Sequence, residues 1–499
     1  MAEWLTQPYF TLWQSIFLKS IALVYFWSFY CLHKEILGLV GSRGIYPIKM
    51  VLDAYREKLG EKPYYTMPTL FWLNSSDRFI KAVTWLGQIL PFFILFDIFS
   101  PVFFFLLWVL YLSLINVSGM VMSSQYDILL IEVGFLSIFY SVLTPPPALL
   151  VYLAWFYLFR LMFCTGMYKV LFGMKEWRTL DALSFFLETQ PFPTKIAYYI
   201  YKLPKFSLKI LTFTVLFIQI VSPFFIFGPQ GLRLTAGLLI ALSQLGIMLC
   251  GNYAFFNVLT IALCIPLFMD VNPGILYSPW STEPVTQYHE WLTPILSIIA
   301  ILLFLKQLEE FYYTFFDNGK KHFLAPFRIA NFYGMYSHLS VEHYEIKIEG
   351  GDGRFWRIYS YRQRAAVDKP LRWLSFLKFS RFESILSNAG NITYHHGGWF
   401  TQLIIRLLQG SSEVGALFKS NPFTETPPQF IRCNLEHFRF TDCKIKRQTG
   451  QWWCKKSLGS YCTTFYLADK IEAKKYKRNE PRPLVPFEKV KSPDSLKGY

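Results

Sequence analysis

The sequence predicts a polytopic α-helical membrane protein, with eight or nine transmembrane helices and a mixed α/β soluble domain after them. Three observations carry this. Of 499 residues, 53% are hydrophobic and 19% aromatic, against 16% charged. Apolar runs of 17 to 21 residues recur through the first 316 positions, and roughly 20 helical residues cross the hydrocarbon core. Lys and Arg avoid those runs and collect in a few loops and the C-terminal third. A net charge of +16 can signal nucleic acid, but this distribution fits topology control, so the expected partner is the lipid bilayer and no nucleic acid.

The runs cover residues 13–32, 79–99, 101–117, 127–143, 148–168, 207–227, 232–250, 253–269 and 292–311. Those of 17 residues are marginal, which leaves eight crossings as the alternative to nine. Nine crossings within residues 1–316 place the basic loops 33–78 and 169–206 and everything after 316 on one side. The neutral segments before 13, near 100 and 145, and over 270–291 then fall on the other, as the positive-inside tendency requires. The residues before the first run contain no Lys or Arg and no small-residue cleavage site follows it, so no signal peptide is expected.

Residues 317–468 read as the soluble domain. Tyr344, Ile346 and Ile348 alternate with Glu345, Lys347 and Glu349, and the turn Gly350-Gly351-Asp352-Gly353 leads to β-formers at 355–361, which predicts a hairpin. Residues 371–386 have helical character, and Trp399, Leu403 and Leu407 with Phe400, Ile404 and Leu408 make an apolar helical face. Residues 430–440 fit a strand. Residues 469–499 mix nine Lys and Arg with Pro and predict a disordered basic tail. Cys433, Cys443, Cys454 and Cys462 contain no Cys-x-x-Cys pair, so they are candidates for two disulfides in an oxidising compartment rather than for a zinc site.

Candidate chemistry centres on ionisable groups inside the apolar runs. Each costs roughly 2.5–3.5 kcal/mol on insertion scales, so it is expected to face the bundle interior and find a partner. Gln125 and Glu132, seven residues apart, share one helix face. Asp127 suits the first turn of that helix. Glu132 and Arg160 lie at similar depths in adjacent antiparallel runs and are expected to pair, as are Asp127 and Lys169. Such pairs can simply lock helices together. The sharper alternative makes Lys169 a base, its pKa lowered by burial. His395-His396 has no acid or thiol at ligand spacing, no hydrolase motif occurs, and the glycine-rich 38–47 stretch lacks P-loop spacing, so neither metal nor cofactor is expected.

Many short segments resemble the lipase maturation factor family. They include Gly41-Ser42-Arg43-Gly44-Ile45-Tyr46-Pro47, Pro68-Thr69-Leu70-Phe71-Trp72, Gln125-Tyr126-Asp127-Ile128-Leu129-Leu130-Ile131-Glu132, Phe159-Arg160-Leu161, Trp177-Arg178, Glu188-Thr189-Gln190-Pro191 and Gly251-Asn252-Tyr253-Ala254-Phe255-Phe256-Asn257. Asn421-Pro422-Phe423, Phe438-Arg439-Phe440 and Gly450-Gln451-Trp452-Trp453 extend the likeness into the polar domain. The chain departs from the family at Pro370-Leu371-Arg372-Trp373-Leu374, where a Tyr-Arg-Leu-Asp-Trp-type segment is usual. The resemblance implies a chaperone-like maturation factor, not an enzyme, that helps secreted lipases fold and assemble. It would sit in the endoplasmic reticulum membrane of a eukaryote or the cytoplasmic membrane of a bacterium. Its client or pocket residues would be Gln125, Asp127, Glu132, Arg160, Lys169, Trp177, Arg178, Glu188, Gln190, Asn252 and Asn257. The family's polar domain is lumenal, whereas the charge bias here favours the cytoplasmic side. Gly166-Met167-Tyr168-Lys169 followed by Trp177 is also similar to the segment bearing the catalytic lysine of vitamin K-dependent gamma-carboxylase. The alternative function is therefore an intramembrane enzyme with Lys169 as base.

Overall fold

In lipid, backbone N–H and C=O groups are satisfied only within helices or closed barrels, and the apolar runs fold as helices. The computed structural model describes residues 9–60, 63–122, 124–272, 291–316, 324–367, 369–375, 379–392, 394, 398–467 and 484–486. Helix α1 (Tyr9–Val40) is followed in the first basic loop by α2 (Ile48–Leu59) and α3 (Pro63–Thr66), then by α4 (Asp77–Leu95), α5 (Ser100–Val117), α6 (Gln125–Tyr140) and α7 (Ala148–Leu171). The second basic loop carries α8 (Lys175–Arg178), α9 (Ala182–Thr189) and α10 (Lys195–Tyr201). After it come α11 (Lys205–Ile220), α12 (Gln230–Cys250), α13 (Phe256–Cys264) and α14 (Leu292–Phe316).

Among the described residues, seven helices are long and apolar enough to cross a membrane: α1, α4, α5, α7, α11, α12 and α14. Two of the marginal runs give shorter helices, α6 with 16 residues and α13 with 9. Hydrogen bonds nevertheless sort the helix ends onto two faces. On one face Trp13 Nε1 donates to Val271 O (2.9 Å) and Gln14 Nε2 to Tyr140 O (3.0 Å). On the other, Asn116 Nδ2 donates to Pro326 O (3.2 Å), Asn252 Nδ2 to Ser375 O (2.6 Å), Tyr198 Oη to Thr441 O (2.9 Å) and Ser411 Oγ to Arg43 O (2.8 Å). The basic loops and the polar domain thus share one face, and α6 and α13 run between the same faces as the long helices. They can be short because protein, not lipid, surrounds them, so bilayer thickness sets no minimum length. Helix α7 is the centre of the bundle: 78% of its apolar window is buried, against 22% for α14 at the periphery. At Gly134 of α6 a Cβ would come within 1.9 Å of Tyr25 Oη, so α1 packs there with no room for a side chain.

The polar domain is built on an antiparallel sheet in the order β2-β1-β3-β4-β5, with β1 (His343–Gly351), β2 (Trp356–Ile358), β3 (Phe430–Phe440), β4 (Trp453–Leu467) and β5 (Leu484–Pro486). The expected hairpin is β1–β2: Asp352 Oδ1 accepts from Arg354 N (2.9 Å) and Phe355 N (2.8 Å), and Gly353 takes the left-handed φ of 89° that only glycine adopts freely. The 430–440 strand is β3, and α16 (Trp399–Leu408) buries the apolar face read from its spacing. Helix α15 (Arg381–Ala389) is shorter than the expected 371–386, because Ser380 caps its start and the residues before it spend their carbonyls on the bundle. Ser375 O accepts from Asn252, and Arg372 O accepts from Lys195 N (2.8 Å). Two further short helices, α17 (Ser412–Gly415) and α18 (Cys443–Thr449), complete the domain. All eight cysteines are free thiols; Cys433 and Cys462 are buried and opposite each other across β3–β4, while Cys443 and Cys454 are exposed. Of the expected tail only Leu484–Pro486 is described, paired with β4; His395 and His396 lie outside the described residues.

Candidate functional site

Burying an ionised group is tolerable only when opposite charge or hydrogen bonds answer it, and the structure shows what answers each one here. Glu132 and Arg160, both fully buried, form the expected ion pair. The rest of their shell comes from beyond the last span. Glu132 Oε2 accepts from Asn331 Nδ2 (3.0 Å) and Tyr333 Oη (2.8 Å), while Arg160 donates to Asn331 O and lies 5.0 Å from the Tyr333 ring centre. One helical face of α6 serves the same segment, since Gln125 Oε1 accepts from Gly334 N (3.2 Å).

The expected approach of Asp127 to Lys169 does not occur. Asp127 receives both ends of the Arg381 guanidinium at 2.7 Å, with Tyr111 Oη at 2.5 Å as a third donor. Glu35 of α1 braces the same helix start, accepting from Arg381 N (2.9 Å) and Phe382 N (3.2 Å). Helix geometry explains the miss. Nine residues turn an α-helix by about 180° from its start, so Arg160 facing α6 directs Lys169 toward α11 and α12. A guanidinium also matches a carboxylate with two parallel bonds, which an ammonium cannot do.

Other candidates are ties of the same kind. Trp177 Nε1 donates to Tyr336 O (3.0 Å), and Glu188 Oε1 accepts from Phe440 N (2.5 Å) while its carbonyl meets His343 Nδ1 (2.7 Å). Burial pushes the Glu188 carboxyl up, against that hydrogen bond from Phe440. Gln190 Oε1 accepts from Tyr253 Oη (2.5 Å), and Asn252 holds Ser375 as above. Arg178 is exposed and joins none of these groups.

The chain's two halves are recognised separately. A family model described as Lipase maturation factor transmembrane domain matches residues 12–273, more than half of the chain, and one described as Lipase maturation factor C-terminal domain matches residues 329–463. The chain belongs to the lipase maturation factor family. Lipase maturation factor 1 of Mus musculus is 27% identical over 95% of this chain and 90% of its own length, and that of Homo sapiens 26% over 95% and 91%. Lipase maturation factor 2 of Mus musculus is 25% identical over 91% of this chain and 83% of its own. No solved structure matches the chain. In this lipase maturation factor the ties join the two matched regions: Glu132, Arg160, Asp127, Trp177 and Asn252 in the first meet Asn331, Tyr333, Arg381, Tyr336 and Ser375 in the second.

Like Arg178 and Gln190, Lys169 and Asn257 make none of these ties between the two regions. Lys169 Nζ donates to Gln219 Oε1 (3.0 Å) and Thr165 O (3.3 Å), lies 5.2 Å from the Trp177 ring centre, and is in no ion pair among the described residues. It borders a cavity of about 60 Å³ with Thr165, Gln219, Gln244 and Asn257. Thr165 Oγ1, Gln244 Oε1 and both amide atoms of Asn257 are buried without a hydrogen-bond partner among the described residues. A chamber of that size takes several water molecules, each needing about 10–15 Å³, or one small polar group. The comparisons lend the carboxylase-like reading of Lys169 no support.

Proposed function

We propose that this protein is a membrane-embedded maturation factor for secreted lipases, working as a chaperone-like assembly platform and not as an enzyme. The relatives' name supplies the client class. The observation that carries the reading is that the polar domain is fastened to the bundle at Glu35, Asp127, Glu132 and Asn252, so it offers a client a fixed surface rather than a tethered, mobile one. Its free sheet edge suits an extended, incompletely folded chain. Strand β2 has one side of its backbone unpaired among the described residues, and its Trp356 and Ile358 and the preceding Phe355 are exposed, the pattern by which sheet edges take up an added strand. In a eukaryote this work belongs to the endoplasmic reticulum membrane, where secreted lipases fold.

The test is secreted lipase activity from cells that lack their own lipase maturation factors, supplied with this protein or its variants at matched levels. The wild-type chain is expected to restore activity. The pair F355S/W356S should lower it several-fold with membrane levels unchanged. Lys169→Met, which fills the chamber edge with an uncharged side chain of similar length, should leave it within about twofold, below the 1.4 kcal/mol that a tenfold loss represents. No restoration by wild type ends the reading. A large loss with Lys169→Met at normal protein level would instead favour chemistry at that amine.

A further inference from the structure

The walls of one cleft beside the polar domain are cationic. It holds about 460 Å³ between the second basic loop and the polar domain, and its lining among the described residues includes Lys195, Arg362, Arg364, Lys369, Arg372 and Lys419 and no carboxylate. Lys195 comes from α10, beside the start of span α11; the other five come from the polar domain, so the cleft lies on the seam of the two halves.

Its innermost member is the informative one. Arg364 is 1% exposed, yet Nε and Nη1 meet no acceptor among the described residues, and Nη2 meets Glu345 as an ion pair without hydrogen-bond geometry. Elsewhere in this protein buried guanidiniums are better served: Arg160 and Arg381 leave only Nε unpaired. Arg364 is held in place from its backbone, because Glu383 accepts from Arg362 N (2.6 Å), Gln363 N (2.8 Å) and Arg364 N (3.2 Å). Glu383 is thereby engaged by main-chain donors, and Glu345 meets the guanidinium only at Nη2. At the rim Arg372 and Lys419 are exposed and in no ion pair among the described residues. A buried charged donor without an acceptor is destabilising, so the site is built for an acceptor that comes from outside the chain.

We propose that this cleft binds a phosphate monoester group. Arg364 Nε and Nη1, without acceptors among the described residues, are N–H donors for phosphate oxygens, and the surrounding ammonium and guanidinium groups answer a dianion, which a single carboxylate would leave in large excess of positive charge. Two sources supply this chemistry: a phospholipid headgroup from the adjoining bilayer surface, where basic pockets between helices and a polar domain recruit such headgroups, or a soluble phosphate ester. Either one would clamp the second basic loop to the polar domain.

The full-length protein, purified in a non-ionic detergent and a phosphate-free buffer, is titrated with glycerol 3-phosphate or with short-chain phosphatidic acid in the micelles. Sodium chloride and sodium acetate at equal ionic strength serve as references. Thermal unfolding is followed by tryptophan fluorescence and binding by calorimetry. A saturable rise in the unfolding midpoint with the phosphate probes is expected, absent with acetate and weakened about tenfold in affinity when salt is raised from about 50 to about 300 mM. The double variant R372E/K419E alters only exposed side chains and should fold normally while losing at least tenfold in affinity; Arg364→Gln should lose the response altogether. Saturation at lower phosphatidic acid than glycerol 3-phosphate identifies the lipid as the source, and the reverse order the soluble ester. An equal response to acetate, no response to either phosphate probe, or an undiminished response in R372E/K419E overturns the assignment. The lipase secretion assay plays no part in this outcome, so the two proposals stand or fall apart.

Discussion

Glu132→Ala is expected to destabilise the protein by about 3–5 kcal/mol, the cost of leaving a buried charge without its partner. The carboxylate answers Arg160 directly and accepts from Asn331 and Tyr333, so its removal leaves the buried guanidinium without its counter-charge, the Tyr333 hydroxyl without its acceptor and Asn331 Nδ2 with Arg328 O alone. The measurement is the unfolding midpoint and the monodisperse fraction of the detergent-purified variant. Replacing both charges, Glu132→Leu with Arg160→Met, should recover much of the loss, since a buried ion pair often gives way to apolar groups of similar volume at little net cost. A wild-type midpoint for the single variant would mean that water reaches the pair and that α6 and α7 do not depend on it.

Arg381→Met should act at a distance in sequence and locally in space. Asp127 would lose two hydrogen bonds at 2.7 Å and its only counter-charge among the described residues. With a similar cost of about 3–5 kcal/mol, α15 should detach and proteolysis of the 352–372 region should quicken by a factor on the order of 10² or more, because cleavage tracks the population of the opened form. Arg381→Lys keeps the charge without the two-pronged geometry and should fall between. Asp127→Asn in the Arg381→Met background should slow cleavage again by removing the stranded charge. Unchanged proteolysis in Arg381→Met would show that other ties hold the domain by themselves.

Much of the architecture could be read from residue patterns. Spans follow from apolar length, the Glu132–Arg160 pair from two charges at matched depth, and β1, β3 and α16 from periods of two and of about 3.6. What escaped has a common cause. The seven-residue spacing of Gln125 and Glu132 shows that they share a face, but nothing in the bundle sequence shows that the face meets residues 331–334. The pairing of Asp127 with Arg381 spans 254 positions, and a lone Arg after a serine in the polar third carries no local sign of it. Angular reasoning would have excluded Lys169, since Arg160 already claims the side of α7 that faces α6. Strand β4 was hidden because its exposed lysines and serines blur the alternation that marks a half-buried strand.

The ties between α6 and the polar domain set an order of events during synthesis. At about 5–20 residues per second, Arg381 is made some 10–50 s after Asp127. Throughout that interval the newborn bundle carries carboxylates whose eventual answers have not been translated. Helix α6, too short to match lipid by itself, would pass this time loosely inserted or protonated, attended by whatever the translocation machinery offers. A ribosome-stalled or prematurely terminated chain would then be conspicuous to quality control through its polar helix rather than through missing soluble structure.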